Sequence, residues 1–82
     1  MPHYCFDVDD GDRLDADPDG IELRDDAAAR VKALDALPDI ARDKIPDGDH
    51  RTFQVSVRKG DRKVIYIATL TLMARWTLKS PG

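Results

Sequence analysis

The sequence predicts an α+β domain of order β-β-α-β-β, an antiparallel sheet with one kinked helix packed on one face. Apolar residues recur at helical spacing between positions 25 and 45, whereas they alternate with polar residues in 3–8 and again in 52–58. The 82 residues are expected to form a single small domain (1–82), with 79–82 as a frayed tail. Because one chain of this size buries only a small core, a homodimer is expected.

The first strand is predicted over 3–8, with Tyr4, Phe6 and Val8 on the inner face. Turn residues 9–12 follow, and Gly11 is free to adopt a positive φ there. A short second strand is expected over 13–16. A second turn at 18–20 then leads into a brief extended piece at 21–23.

The helix is predicted to begin after Asp25, which caps its amino end, with Asp26 in the first turn where a negative charge suits the helix dipole. Because Pro38 lies inside the helix, a kink is expected at 34–37 and a second helical piece at 39–44. The apolar stripe comprises Ala27, Val31, Leu34, Leu37, Ile40, Ala41 and Ile45.

The last third is predicted to form a hairpin, with a strand over 52–58, a turn at 59–62 and a long strand from Lys63. The long strand changes phase, because Ile65 and Ile67 fall on one face whereas Leu70 and Leu72 fall on the other. Either a bulge near 68–69 resets the register, or the strand is apolar on both faces because a partner covers the second. The candidate interaction residues are therefore Ile65, Ile67, Leu70 and Leu72.

These strands and the helix together define the expected hydrophobic core. Its predicted members are Tyr4, Phe6, Val31, Leu34, Phe53, Val55, Val57 and Ile67.

Charge divides the chain into an acidic front and a basic back. Residues 1–50 contain fifteen acidic and six basic side chains, and residues 51–82 contain one and seven, so −9 and +6 recover the net charge of −3. The basic hairpin tip is expected to be a solvated turn, and nucleic acid is not expected as a partner at a pI near 5.2. The tip consists of Arg58, Lys59, Arg62 and Lys63.

No stretch predicts a membrane span or a signal peptide, so a cytoplasmic location is expected.

An acidic run offers a weak metal site. Asp15, Asp17 and Asp19, followed by Gly20, match the opening of a calcium loop, in which alternating carboxylates bind the cation. Pro18 interrupts the motif, and the position that usually carries a bidentate glutamate carries an aspartate instead. We therefore expect no metal, with weak calcium binding by these three aspartates as the alternative.

The remaining reactive side chains do not predict an enzyme. Cys5, His3 and His50 show neither zinc-site spacing nor a nucleophile with a recognisable base. We expect no catalytic residues and no cofactor.

Several short motifs occur together in one order. They are Met1-Pro2-x-Tyr4-x-Phe6-Asp7, Asp10-Gly11, Asp19-Gly20-Ile21-Glu22-Leu23-x-Asp25, Ala28-Ala29-Arg30, Ile40-Ala41-Arg42-Asp43 and Pro46-Asp47-Gly48. These motifs resemble those of a family of small bacterial proteins of unknown function that open with M-P-x-Y-F-F-D, and the resemblance covers nearly the whole chain. Cys5 replaces a usual aromatic residue, and Pro38 in the helix is a second departure. The family implies no activity and no catalytic residues.

A fainter similarity of layout links the chain to HicB-like antitoxin domains, in which two strands precede a helix whose start is rich in acidic residues and alanine. The sequence thus predicts a non-enzymatic protein-interaction module, a homodimer acting through its open sheet face or an edge strand. The alternative is a regulatory or ligand-binding domain, which binds an unidentified protein as antitoxins do or binds calcium weakly.

Overall fold

A computed structural model describes residues 1–44, 49–60 and 63–78 of the chain. Ile45 of the predicted stripe, Arg62 of the predicted basic tip and the predicted tail 79–82 lie outside these residues. The described part contains five strands and one helix in the order β-β-β-α-β-β, which confirms the α+β class and adds one short strand. The elements are β1 (His3–Asp9), β2 (Leu14–Asp15), β3 (Ile21–Glu22), α1 (Asp26–Lys44), β4 (His50–Lys59) and β5 (Lys63–Met73).

The sheet is antiparallel throughout, with strand order β2-β1-β4-β5 and β3 paired to the other end of β1. Phe6 lies opposite Val57 and Val8 lies opposite Val55, and Val55 in turn lies opposite Ala68. Because opposed residues of antiparallel strands point to the same face, these side chains form one apolar layer. The helix packs on this layer, chiefly over β4 and more lightly over β5.

The amino end of α1 is capped as predicted, because the Asp25 carboxylate accepts a hydrogen bond from the Ala28 N–H (2.9 Å). Asp26 ties the first helical turn to the sheet. Its Oδ1 accepts the Tyr4 hydroxyl (2.6 Å) and contacts Lys59 Nζ (2.9 Å). Burial of the ring, with the hydrogen bond to Asp26, raises the pKa of Tyr4 to about 12.

The helix continues without a break through Pro38, so the predicted second piece belongs to the same helix. Pro38 is exposed. Because proline has no N–H, the backbone carbonyl four residues before it loses its hydrogen bond within the helix, and on an exposed side of the helix that carbonyl can bond to water instead.

The core differs from the predicted stripe. The helix buries three alanines and Leu37 at every fourth position, so Leu37 and Ala41 of the predicted stripe are buried, whereas Val31 is 53% exposed and Leu34 is 37% exposed. The prediction for these two residues was wrong because close approach of the helix to the sheet selects alanine for the contact line and moves larger residues to its flanks. The buried helix residues are Ala29, Ala33, Leu37 and Ala41.

Four predicted core residues of the sheet are confirmed as fully buried, and Phe6 is half-buried against them. Ile67 is 55% exposed, because it lies opposite Ser56 on the face away from the helix. The four buried residues are Tyr4, Phe53, Val55 and Val57.

The register of β5 shifts earlier than predicted. Val57 pairs with Tyr66 and Arg58 pairs with Val64, so Ile65 is the extra residue of a bulge. Beyond it the strand is regular, with Leu70 on the helix face and Ile67 on the open face. The bulge predicted at 68–69 is therefore wrong in position, and the observed one does not bring Ile67 and Leu70 onto one face. The strand is apolar on both faces, and the partner that would cover the second face stays a prediction.

The molecule is elongated. Its radius of gyration is 15.3 Å and its extents are 54 × 21 × 17 Å, against a radius of about 12 Å for a compact domain of this length. No helix in the described ranges is long and apolar enough to cross a membrane.

Candidate interaction surface

The outer edge of β1 is closed. β2 pairs with one end of this strand and β3 pairs with the other. Between them, the Phe6 N–H points outward and donates to the Asp17 carboxylate (3.1 Å). A side chain thus replaces, for the Phe6 N–H, the strand partner that is missing at the middle of β1, and this edge becomes a poorer template for another chain.

The same carboxylate also holds the connection between β2 and β3. Its other oxygen accepts the N–H groups of Asp19 (3.2 Å) and Gly20 (3.0 Å). These backbone bonds, led by the one from Gly20, hold the pKa of Asp17 below its usual value. Asp17 therefore acts as a structural anchor of this edge.

Asp7 and Arg58 complete the anchor on the open face of the sheet. Arg58 donates to both oxygens of Asp7, at 2.7 and 3.1 Å, and to the carbonyl of Asp17 (3.2 Å). Asp7 also accepts the N–H of Asp17 (2.9 Å). The bond from Arg58 is the main cause that lowers the pKa of Asp7. This network joins β1, β4 and the connecting segment.

The three aspartates of the calcium motif are not brought together. Asp15 pairs with Arg13 (2.9 Å), and Asp17 is engaged by backbone N–H groups. Within residues 1–44, 49–60 and 63–78, no three His, Cys, Asp or Glu side chains form a group that could hold a metal ion. Calcium binding by Asp15, Asp17 and Asp19 remains an untested alternative, and this geometry does not favour it.

The opposite edge of the sheet is formed by β5, which lies at the end of the strand order. The Ala74 N–H donates to the Asp49 carbonyl (2.6 Å), just beyond the strand end. Since hydrogen-bonded and non-hydrogen-bonded pairs alternate along an antiparallel ladder, this bond fixes which residues of β5 direct their backbone N–H and C=O groups toward β4. These residues are Leu72, Leu70 and Ala68.

The residues between them direct their N–H and C=O groups away from β4. The bond from the Gly60 N–H to the His3 carbonyl (2.9 Å) shows independently which residues of β4 direct their backbone groups toward β1 and which toward β5. The β1–β4 and β4–β5 pairings agree that the backbone groups of Val55 point toward β5. We call this outward-facing set the free edge of β5. It consists of Ile67, Thr69, Thr71 and Met73.

The free edge lacks the usual protection of exposed strands. Natural edges carry charges, proline or bulges that block further pairing. Residues 64–74 contain no charged residue and no proline, and the bulge lies at Ile65, before the regular part. Apolar side chains are exposed on both faces, with Met73 at 75% and Leu70 at 40%.

The four predicted interaction residues lie on this one strand but not on one face. Ile67 belongs to the free edge, Leu70 and Leu72 lie on the helix face, and Ile65 is half-buried at the bulge. The predicted set did not include Met73, nor Thr69 and Thr71, whose backbone N–H and C=O groups point away from β4. The uninterrupted uncharged run of 64–74 was the signal that could have located these residues.

A shallow groove of about 620 Å³ lies between α1 and β1, away from the free edge of β5. Its lining includes the apolar side chains of Phe6, Val8 and Val31 and the charged side chains of Lys32 and Asp35.

A family model described as a domain of unknown function (DUF6894) matches residues 3–71. This match confirms the resemblance to a family of unknown function that the motifs predicted. No curated protein and no solved structure matched the chain.

Proposed function

The chain belongs to the family of the domain of unknown function DUF6894, and we propose that this member is a small bacterial, non-enzymatic interaction module. It works in the cytoplasm as a homodimer, and the two copies pair through the free edge of β5. The observation that carries the proposal is that, among the residues that the structure describes, no strand pairs with the outer edge of β5. Residues 64–74 along this edge contain neither a charged side chain nor a proline.

The contrast between the two sheet edges supports this proposal. The β1 edge is closed by two short strands and by the Asp17 carboxylate. Because the β1 edge is protected and the β5 edge is not, we expect a partner strand to cover the β5 edge in the functional protein.

The surface area of the chain also favours a partner. The chain exposes 6045 Å², whereas a compact monomer of its mass is expected to expose about 4900 Å². A standard interface covers about 800 Å² on each partner, which is of the same order as this excess.

A second copy is the occupant that the edge itself suggests. Antiparallel pairing of β5 with its own copy needs no other sequence, is closed by a two-fold axis and extends the sheet to both sides. It also covers the apolar side chains of Ile67, Leu70 and Met73, which are exposed in one chain.

Sedimentation analysis of Thr71→Pro tests this proposal. Proline removes the outward N–H of position 71, which a monomer does not use, while Thr71→Val keeps that N–H and is the matched control. Both variants lose the 3.4 Å contact between the Thr71 and Thr52 hydroxyls. We expect dimers for the wild type and the valine variant, and at least ten-fold weaker association for the proline variant with unchanged circular dichroism.

A wild type that remains monomeric at high concentration would contradict the homodimer. The antitoxin-like alternative, an unidentified protein as the edge partner, would then take its place. A proline variant that associates as tightly as the wild type would show that the copies meet elsewhere, for example through the open sheet face.

A further inference from the structure

We propose that the two copies meet in a single register, with Leu70 on the two-fold axis, so that the sheet runs through the dimer and both helices lie on one face. This inference rests on the proposed homodimer and specifies its geometry. It follows from the direction of the backbone groups on β5 and from the side chains that each register brings together.

The direction of the backbone groups limits the possible registers. In a two-fold antiparallel pair, the free-edge residues must hydrogen-bond to free-edge residues of the partner, because the intervening residues already bond to β4. Opposed residues then lie on the same face of the extended sheet. Both copies of α1 are thereby placed on the same side.

Among these registers, one uses the whole free edge. With Leu70 on the axis, Ile67 lies opposite the partner's Met73 and Thr69 lies opposite the partner's Thr71. All four outward positions of each chain are paired, which gives roughly eight backbone hydrogen bonds. The irregular residue Ile65 falls outside this paired segment.

The side chains match in this register. On the open face, exposed Ile67 meets the partner's exposed Met73, and two pairs of threonines face each other. On the helix face, Leu70 meets the partner's Leu70. Like pairs of aliphatic or threonine side chains stabilise antiparallel sheets.

Moving the axis to Ala68 gives a poorer fit. Ile67 then faces a threonine, and Met73 faces the charged Lys63 of the partner. The bulged Ile65 must also pair with Thr71, where its backbone does not continue the regular ladder.

Disulfide trapping tests the register. Position 70 opposes itself as a non-hydrogen-bonded pair, whose Cα atoms are about 4.5 Å apart and within disulfide reach. Position 72 lies on the same strand face but opposes position 68, so its two copies are roughly 13 Å apart along the strand. We would compare Leu70→Cys with Leu72→Cys, both in a Cys5→Ser background because Cys5 is partly exposed.

Under mild oxidation, the position 70 variant is expected to form covalent dimer at least ten-fold faster than the position 72 variant. Sedimentation of both variants under reducing conditions provides the second readout. If they dimerise but position 72 crosslinks as fast as position 70, or position 70 does not crosslink, the register is refuted and the homodimer stands. If both are monomeric when reduced and neither crosslinks, the homodimer itself fails.

Discussion

Among the three glycines that the structure describes, Gly20 should tolerate alanine least, because it lets the segment between β2 and β3 approach the edge of β1. Its φ is +71°, in the left-handed region. A Cβ atom at this position would lie 2.5 Å from the Tyr4 carbonyl oxygen, 2.5 Å from His3 Nε2 and 2.8 Å from Cys5 Sγ. The Tyr4 carbonyl belongs to a central strand and cannot move aside as a side chain can.

Two contributions set the size of the effect. Alanine in the left-handed region costs about 1–2 kcal/mol, and forcing an atom into a closely packed site costs about 1–3 kcal/mol more. We therefore expect Gly20→Ala to lower the free energy of unfolding by about 2–5 kcal/mol, out of the roughly 5–15 kcal/mol that is typical of a folded domain.

Gly60→Ala is the matched control. Gly60 has a φ of +59°, and a Cβ atom there would meet nothing within 4 Å, so only the backbone contribution of about 1–2 kcal/mol remains. Urea unfolding followed by circular dichroism, at one protein concentration for all variants, measures both changes. If Gly20→Ala destabilised the protein no more than Gly60→Ala does, the close packing of this segment on β1 would be refuted.

Two further predictions concern the core and the edge anchor. Leu37→Ala should lower the free energy of unfolding by about 2–5 kcal/mol because it opens a cavity under the helix. Val31→Ala should lower it by under about 1 kcal/mol because Val31 is largely exposed. Thermal or urea unfolding compares the two variants, and equal losses would contradict the observed contact between helix and sheet. Asp17→Asn should cost about 1–3 kcal/mol at neutral pH, because the carboxylate accepts three backbone N–H groups. The lowered pKa of Asp17 means that its contribution is present above about pH 4, the unfolded value, and is lost as the pH falls through the folded value. Unfolding measured from pH 7 downward should therefore show the two proteins converging in acid, and a constant difference would contradict the anchor.

Local chemistry made much of the fold predictable. Alternation located β1 and β4, and Asp25 was recognisable as a helix cap because its side chain bonds within the first turn. Gly11 adopts the positive φ, 95°, that its turn predicted. Each of these features depends on residues close together in the sequence.

The features that were missed depend on distances between elements. Large apolar residues of the helix drew the predicted stripe to Val31 and Leu34, whereas the spacing of helix and sheet decides that alanines make the contact. The role of Asp17 could not be predicted either, because its partner Phe6 lies eleven residues away on another strand. The acidic run suggested a cation, although this carboxylate binds backbone N–H groups instead.

The asymmetry of the two sheet edges links the fold to the proposed function. Asp17 and the short strands cover the β1 edge, so the proposed association is assigned to the β5 edge, which carries no charge over residues 64–74. A module built in this way would dimerise in one orientation and keep its acidic connecting segments free on the outside.

The absolute mass of the wild-type protein in solution decides whether the chain pairs with a second copy. Size exclusion with light scattering over a dilution series should give twice the chain mass of 9.2 kDa at high concentration, falling toward the single-chain mass on dilution. A mass of one chain at every concentration would contradict the homodimer and leave the free edge of β5 without its proposed partner.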